Sequence, residues 1–253
     1  MSNSTRSLDF KTRSHNRYWW YRLADSAYTP PVFASLSNQE WLLIDDWFTT
    51  TEKKFESPGE ISIPGISLLA GLIGGNGICA IVQCGHYVGY STLLLGFLLR
   101  SMGKANALFS IDIDPDATSF TQEWVEKAGL GAQVRLRISN SSDPILPTEA
   151  RSYFGRDIQM VLIDSSHQYA HTLQELDLWY DALPTGGLIV LHDVSRFAQS
   201  FDSSGKGGVL RAVLEWCENR GVSPLLLNSF VTQESPEQLA YRDGCGIGII
   251  QKR

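Results

Sequence analysis

The chain has 253 residues, and its 21 lysines and arginines against 27 aspartates and glutamates give a formal charge of −6. This length allows one or two domains with a core that needs no disulfide or metal to hold it together. Hydrophobic residues make up 43% of the chain and charged residues 19%, which excludes a disordered or fibrous protein. The negative charge argues against a nucleic-acid binder that relies on bulk positive charge, because such binding depends on neutralising phosphates.

The cysteines and the N-terminal residues indicate the cellular location to expect. No two cysteines have the C-x-x-C spacing of a zinc knuckle or a redox pair; they are Cys79, Cys84, Cys217 and Cys245. The first residues are polar and basic with no apolar segment behind them, so we expect no secretory signal and a cytoplasmic location. Residues 61–99 carry no charge, but glycines and Pro64 interrupt them, so we expect no membrane span.

The N-terminal segment differs in composition from the rest of the chain. It is rich in aromatic residues, among them Trp19, Trp20, Trp41 and Trp47. The apolar spacing over 38–49 predicts an amphipathic helix. We therefore predict that residues 1–60 form a helical cap or appendage. Residues 61–253 would form the main fold, with the whole organised as a single domain.

Beyond a helix predicted at 64–73, short apolar runs alternate with helical segments. Strands are predicted over 78–82, 107–111, 133–138, 158–163 and 188–191, with two more at 225–227 and 247–250. Helices are predicted up to Leu99 and over 117–128, 168–183 and 209–219. This alternation predicts an α/β fold with a doubly wound, mostly parallel sheet. Ligands of such sheets bind beyond the carboxyl ends of the strands, so the residues that follow each strand are the candidate site residues.

The loop after the first predicted strand contains Gly85, Gly89 and Ser91. Gly85 permits a sharp turn and a close approach of a ligand to the main chain. Gly89 and Ser91 fall where the next helix begins, and a helix N-terminus favours a carboxylate. The spacing is not the G-x-G-x-x-G of dinucleotide binders. An ordinary glycine-containing turn stays open as an alternative.

Acidic residues follow the second predicted strand. A carboxylate at this place can hold the two hydroxyls of a ribose, and we favour this role for Asp112. The alternative is a turn or helix cap before Pro115, which Asp112 and Asp114 would also suit.

Polar residues also follow the fourth and fifth predicted strands: Asp164 and His167 after the fourth, His192 and Asp193 after the fifth. Neighbouring strands would bring them together, and two carboxylates with a histidine can form a divalent metal site. A histidine there can also act as a general base. A helix cap for Asp164 and a buried structural role for His192 stay open. His171 is more typical of a helix surface.

Taken in order, these segments resemble class I S-adenosylmethionine-dependent O-methyltransferases. The motifs are Gln83-x-Gly85-x-x-x-Gly89-x-Ser91, the segments 110–115 and 183–193, and Ile163-Asp164-x-x-His167-x-Tyr169. They are similar to the metal-dependent catechol and caffeoyl-CoA enzymes and to bacterial enzymes of macrolide and cephalosporin pathways. The resemblance spans about residues 60–195. It implies a Rossmann-like methyltransferase fold and methylation of a small-molecule hydroxyl.

The resemblance also implies roles for individual residues. S-adenosylmethionine would be bound by Gly85, His86, Tyr87, Gly89, Ser91, Asp112, Ile113, Asn140, Ser141 and Asp164. Asp164, His192 and Asp193 would hold a divalent ion, Mg²⁺ or Mn²⁺, and His167 would be the catalytic base. The chain departs from the family at Gln83, where an acidic residue is common, and at His192, where Asp or Glu is usual. Imidazole suits Mn²⁺, Fe²⁺ or Zn²⁺ better than Mg²⁺.

The expected partner is a small-molecule acceptor with a hydroxyl, with no nucleic acid and no membrane; a homodimer stays open. Residues 196–208, with Phe197 and Phe201, and the N-terminal segment are expected to cover the acceptor. Packing of Trp19 and Trp20 on the sheet or in a dimer interface stays open as an alternative. Three alternatives remain from the sequence. They are an NAD-type oxidoreductase, a nucleoside-binding protein without turnover, and methyl transfer without a metal.

Overall fold

The computed structural model describes residues 29–57, 59–228, 241 and 243–253. The chain divides into two compact units, residues 1–59 and residues 60–253. The predictions for Trp19 and Trp20 lie outside the described residues, and the role of residues 1–60 as a cap stays a prediction. Among the described helices, none is both long enough and apolar enough to cross a membrane.

The described part of the first unit contains two helices, α1 (Pro31–Ala34) and α2 (Asn38–Lys54). Helix α2 begins with a capping box, in which the Ser37 hydroxyl accepts from the Glu40 N–H and the Glu40 carboxylate accepts from the Ser37 N–H. Its buried apolar side chains recur at helical spacing, as predicted for 38–49; they are Trp41, Ile44, Trp47 and Phe48. The helix extends to Lys54, further than the apolar pattern indicates.

The second unit alternates helices and strands along the chain. In order they are α3 (Ile63–Asn76), β1 (Ile81–Cys84), α4 (Tyr90–Ser101), β2 (Leu108–Asp112), α5 (Pro115–Lys127), β3 (Val134–Ile138), α6 (Leu146–Phe154), β4 (Met160–Ile163), α7 (Tyr169–Ala182), β5 (Leu188–His192), a 3₁₀ turn (Ala198–Phe201), α8 (Gly208–Arg220), β6 (Leu225–Leu227) and β7 (Ile247–Gln251).

The seven strands form one sheet in the order β3-β2-β1-β4-β5-β7-β6. Strands β1 to β5 pair in parallel, whereas β7 runs antiparallel to both β5 and β6. The predicted doubly wound, mostly parallel sheet is therefore confirmed. The strand order reverses between β1 and β4, and this is where such sheets bind their ligands.

The central strands are buried on both faces. Every residue of β1 and β4 is buried, as expected for parallel strands covered by helices on both sides. One large core cluster on the sheet includes Phe109, Trp179 and Trp216. The apolar run at 78–82 places the start of β1 three residues before its observed start at Ile81. An apolar run indicates that residues are buried, but it does not indicate which of them form hydrogen bonds with a neighbouring strand. The Cys79 N–H bonds to the side chain of Gln159 instead of to a neighbouring strand.

Helix α6 (Leu146–Phe154) was not predicted from the sequence. It has only nine residues and a proline in its first turn, so its helical pattern covers little more than two turns. Its buried face nevertheless has helical spacing; it consists of Leu146, Pro147, Ala150, Tyr153 and Phe154. Packing stabilises this helix, since the Tyr153 ring lies 6.0 Å from that of Phe109 in β2.

Candidate functional site

The loop after β1 packs directly on the backbone that follows β4. Gly85 has a φ of +87°, and a side chain there would collide with the carbonyl of Asp164. Gly89 has a φ of +94° and is the N-cap of α4, where a side chain would press on Thr121. Glycine is thus required at both positions by the protein's own packing, which brings the ends of β1 and β4 together at the switch point.

Gln83 is completely buried at the end of β1, and its amide is fully paired inside the protein. The amide nitrogen donates to the Gly85 carbonyl over 3.0 Å and to the Ser91 hydroxyl over 2.7 Å. The amide oxygen accepts from Thr92 over 3.0 Å and from Ser110 over 3.2 Å. Gln83 therefore joins β1, β2 and α4 as a neutral link at the position where the resembling family commonly has an acid.

Asp112 lies at the end of β2, and its carboxylate joins two loops. One oxygen accepts from the N–H groups of His86 over 3.0 Å and Tyr87 over 2.7 Å. The other accepts from the N–H of Asp114 over 3.0 Å. The side chain of Ile113, which follows, is 70% exposed. Asp112 thus joins the loops after β1 and β2 at the ligand edge of the sheet, and its role in binding a ribose stays a prediction.

His86 and Tyr87 contribute differently to this loop. The His86 ring is buried between the hydroxyls of Ser110, at 3.1 Å, and Thr118, at 2.9 Å. Burial lowers its pKa to about 4, although the nearby charge of Asp112 acts in the opposite direction. The ring is therefore neutral near pH 7, and His86 bonds to Asp112 through its main-chain N–H. Tyr87 has a φ of +42° and an exposed side chain.

The loop after β3 contains the predicted adenine-side residues Asn140 and Ser141. The Asn140 side chain accepts from the N–H and the hydroxyl of Ser142 over 3.0 and 2.9 Å. The Ser141 hydroxyl is buried and donates to Glu175 over 2.5 Å. The polar side chains of this loop are thus used largely within the protein.

The residues after β4 and β5 come together, as their positions in the sheet predict. Ligand atoms of Asp164, His167 and Asp193 all lie within 4.8 Å of one another. The Nε2 atom of His167 is 3.1 Å from a carboxylate oxygen of Asp193. His167 and Asp193 have φ values of +58° and +62°. Non-glycine residues rarely adopt this conformation, and its occurrence at two facing strand ends is typical of a functional site.

His192 lies behind this group and is buried among carboxylates. Its Nδ1 atom is 3.3 Å from Asp164 and 3.4 Å from Asp193, and its Nε2 atom is 3.7 Å from Asp243. Burial alone would lower its pKa, but the charges of Asp164 and Asp193 raise it well above the usual value. The surrounding carboxylates therefore favour the protonated form of His192, and its role as a metal ligand stays a prediction.

The surroundings of Asp243 and His171 could not be predicted from the local sequence. Asp243 is 1% exposed, and its interaction with His192 joins residues far apart in the chain, which no local pattern predicts. The expectation that His171 lies on a helix surface is wrong. Its ring is half-buried, with Nε2 2.9 Å from the Ser141 hydroxyl and 3.4 Å from Glu175.

The segment after β5 lies beside His167. The Phe201 ring is 5.6 Å from the His167 ring and 5.6 Å from the Phe197 ring, and both phenylalanines are exposed. The side chain of Gln168 donates to the Phe201 carbonyl over 3.2 Å. Asp202, which follows, accepts from the N–H groups of 204, 206 and 208. An ordered loop thus presents two aromatic side chains next to the candidate base.

Three comparisons with known proteins agree with this architecture. The family described as "Methyltransferase domain" matches residues 82–194, which run from β1 to just beyond β5. The transmembrane O-methyltransferase of Propithecus coquereli is 27% identical over 132 residues, covering 50% of this chain and 47% of the relative. The catechol O-methyltransferase of Niastella koreensis is 29% identical over 126 residues, covering 49% of this chain and 53% of the relative. The chain thus matches about half the length of these curated relatives.

Among solved structures, the O-methyltransferase from Bacillus cereus in complex with SAH has a TM-score of 0.62 and 16% identity. The match covers 96% of this chain and 100% of the other. The sheet and its switch-point loops therefore define a class I methyltransferase fold. Within that class, the chain is similar to S-adenosylmethionine-dependent O-methyltransferases, and the resemblance carried by its sequence motifs is confirmed.

Proposed function

We propose that this protein transfers a methyl group from S-adenosylmethionine to a hydroxyl of a small molecule, assisted by a divalent cation. One observation carries the proposal: the two carboxylates of Asp164 and Asp193 and the imidazole of His167 converge at the switch point, beside the glycine loop after β1. The methyltransferase domain match and the similarity to O-methyltransferases support the same reaction class.

The cofactor would lie across the ends of β1, β2 and β3. Its methionine part would be received by the loop of Gly85, Gly89 and Ser91, where α4 begins and its dipole favours a carboxylate. Asp112 would bind the ribose hydroxyls, and the exposed Ile113 would contact the adenine. Ser141 and Asn140 would border the adenine mainly through their backbone, since their side chains are used within the protein.

The donor set is compatible with a divalent ion. Asp164 and Asp193 belong both to the predicted ligand set and to the group whose ligand atoms lie within 4.8 Å of one another, so they would hold the ion. The oxygens of these two carboxylates suit Mg²⁺ or Mn²⁺, and His192, as the third ligand implied by the resemblance, would favour Mn²⁺ over Mg²⁺. When bound, a divalent cation acts as a Lewis acid that lowers the pKa of the acceptor hydroxyl.

His167 would accept the proton of the acceptor hydroxyl. Because its Nε2 faces the Asp193 carboxylate, Asp193 favours the tautomer with hydrogen on Nε2 and leaves Nδ1 to accept a proton. His167 is 37% exposed, whereas His192 is 7% exposed, so an acceptor would reach His167 more easily. The exposed rings of Phe197 and Phe201 would then contact the acceptor and exclude water.

A second candidate is methyl transfer without a metal. Its support is the contact of 3.1 Å between His167 and Asp193, which is the arrangement of an oriented general base. Protonation of His192, which its carboxylate neighbours favour, would balance part of the negative charge that a metal ion would otherwise balance. The two candidates share His167 and differ in their response to metal removal.

The test is calorimetric titration of S-adenosylhomocysteine into the EDTA-treated protein, repeated with Mg²⁺ and with Mn²⁺. Methyl transfer is then assayed on catechols and glycosides under the same three conditions. Micromolar binding with turnover only in the presence of metal supports the first candidate, and turnover in EDTA supports the second. The absence of binding under all three conditions would contradict both, and NADH would be titrated next.

A further inference from the structure

A buried polar cluster lies behind the loops that follow β3 and β4, and neither candidate reaction assigns a role to its carboxylate. It consists of Ser141, Ser165, His171 and Glu175. Glu175 is 0% exposed, although an isolated carboxylate is costly to bury. Its oxygens accept from the hydroxyl of Ser141 over 2.5 Å and from that of Ser165 over 2.8 Å. One side chain of helix α7 thus holds two strand-end loops.

The hydrogens of this cluster can be assigned from its distances. The single hydroxyl proton of Ser141 is directed to Glu175, so the Ser141 oxygen must accept from His171 Nε2 at 2.9 Å. His171 therefore carries a proton on Nε2, which is also 3.4 Å from the Glu175 carboxylate. The bond to Glu175 raises the pKa of His171, although burial acts in the opposite direction.

Helix α7 contacts the Ser141 loop along one face. His171, Glu175 and Trp179 are spaced four residues apart, and all three bond to Ser141; the Trp179 ring nitrogen donates to the Ser141 carbonyl over 2.9 Å. Ser165, the other partner of Glu175, directly follows Asp164. The cluster thus fixes the loop of Ser141 relative to the end of β4, which is followed by the candidate site residue Asp164.

We propose that Glu175 is a positioning residue, which sets the loop of Ser141 for recognition of the cofactor's adenine ring without touching the cofactor. The proposal rests on the proposed function, because it assumes that the loop after β3 borders the adenine. An apolar contact would hold a loop at less cost, whereas three bonds to Ser141 from three side chains fix both its position and its orientation.

The experiment measures the dissociation constants of S-adenosylhomocysteine and of S-inosylhomocysteine, in which the adenine amino group is replaced. Both are titrated into the wild-type chain and into the Glu175→Gln and Ser141→Ala variants. Asp177→Asn is the matched control, because it removes an exposed carboxylate from the same helix. We expect Glu175→Gln to weaken S-adenosylhomocysteine binding about 10-fold or more and to bring the two ligands close to equal affinity. Ser141→Ala should act in the same direction.

The outcomes separate this proposal from the proposed function. If the wild-type chain binds neither ligand, the proposed function fails. If the wild-type chain binds but both variants stay within twofold of Asp177→Asn, the positioning role is wrong. Equal weakening for the two ligands, with their ratio unchanged, would also overturn it, because a merely structural role would not affect adenine discrimination. Ser141→Ala keeps the test decisive if Glu175→Gln does not fold, since it removes only a hydroxyl.

Discussion

At the scale of single residues, His167 combines an unusual backbone conformation with a carboxylate partner. We expect His167→Gln to lower turnover by about 10²- to 10⁴-fold if the ring is the general base. Cofactor affinity should stay within twofold of wild type, because His167 is not among the residues proposed to bind the cofactor. Ser166→Ala, which alters an exposed neighbour, is the control. Single-turnover methyl transfer at saturating cofactor measures the effect, and wild-type turnover by the variant would remove the assignment.

His86 predicts a pH dependence of stability. Its folded pKa of about 4 lies below the usual 6.5, because the ring is buried. As the pH falls from 6.5 towards 4, the unfolded chain binds a proton that the folded chain does not, so stability falls by up to about 1.4 kcal/mol per pH unit. Above pH 6.5 this contribution is fully present.

The measurement is urea unfolding at pH 7, 6 and 5 for the wild-type chain and for His86→Gln. Other titrating groups are common to both proteins and cancel in the comparison. We expect the difference in unfolding free energy between the two to shrink as the pH falls. Parallel pH profiles would show that the buried ring does not carry this effect.

At the scale of elements, the contact between the β1 and β4 loops depends on Gly85. Gly85→Ala places a methyl group against the Asp164 backbone at a positive φ, and we expect a loss of about 3 kcal/mol or more in unfolding free energy. Gly103→Ala is the matched control, since Gly103 also has a positive φ, +68°, but open space around its α-carbon. That variant should lose about 1–2 kcal/mol. If chemical denaturation shows equal losses of unfolding free energy for the two variants, a collision at Gly85 is not the cause.

Some helices and strands can be predicted from local apolar patterns, and others cannot. The buried strands and the long amphipathic helices follow from apolar periodicity, since burial on both faces or on one face leaves a clear pattern. Helix α6 has only nine residues and does not leave such a pattern. Its formation depends on the packing of Tyr153 against Phe109, a contact between residues 44 positions apart in the sequence.

At the scale of the whole molecule, cofactor binding should stabilise the folded state by mass action. S-adenosylhomocysteine at 100 times its dissociation constant is expected to add about 2.7 kcal/mol to the unfolding free energy. Asp112→Asn should reduce this gain at the same ligand concentration, because it removes the carboxylate proposed to hold the ribose. Asp116→Asn, an exposed carboxylate in the first turn of α5, is the control. NADH in place of the ligand should give no gain, and the opposite result would favour an oxidoreductase.

Local sequence patterns are enough to predict the alternation of strands and helices, the parallel sheet and the polar residues at strand ends. These features follow from apolar runs, from helical spacing of apolar residues and from glycine-containing turns. Each of these patterns lies within a short stretch of the chain. The same patterns point to Asp164, His167, His192 and Asp193 as candidate site residues. The domain match then agrees with the same stretch of chain.

Which of these groups face one another depends on how the elements pack in three dimensions. It brings His167 to Asp193, surrounds His192 with three carboxylates, and directs the Ser141 hydroxyl to Glu175. Each of these interactions joins residues from different elements, and its distance depends on how helices and strands pack. A linear pattern specifies which chemical groups are present, but charge pairing and desolvation depend on separations that only the fold establishes.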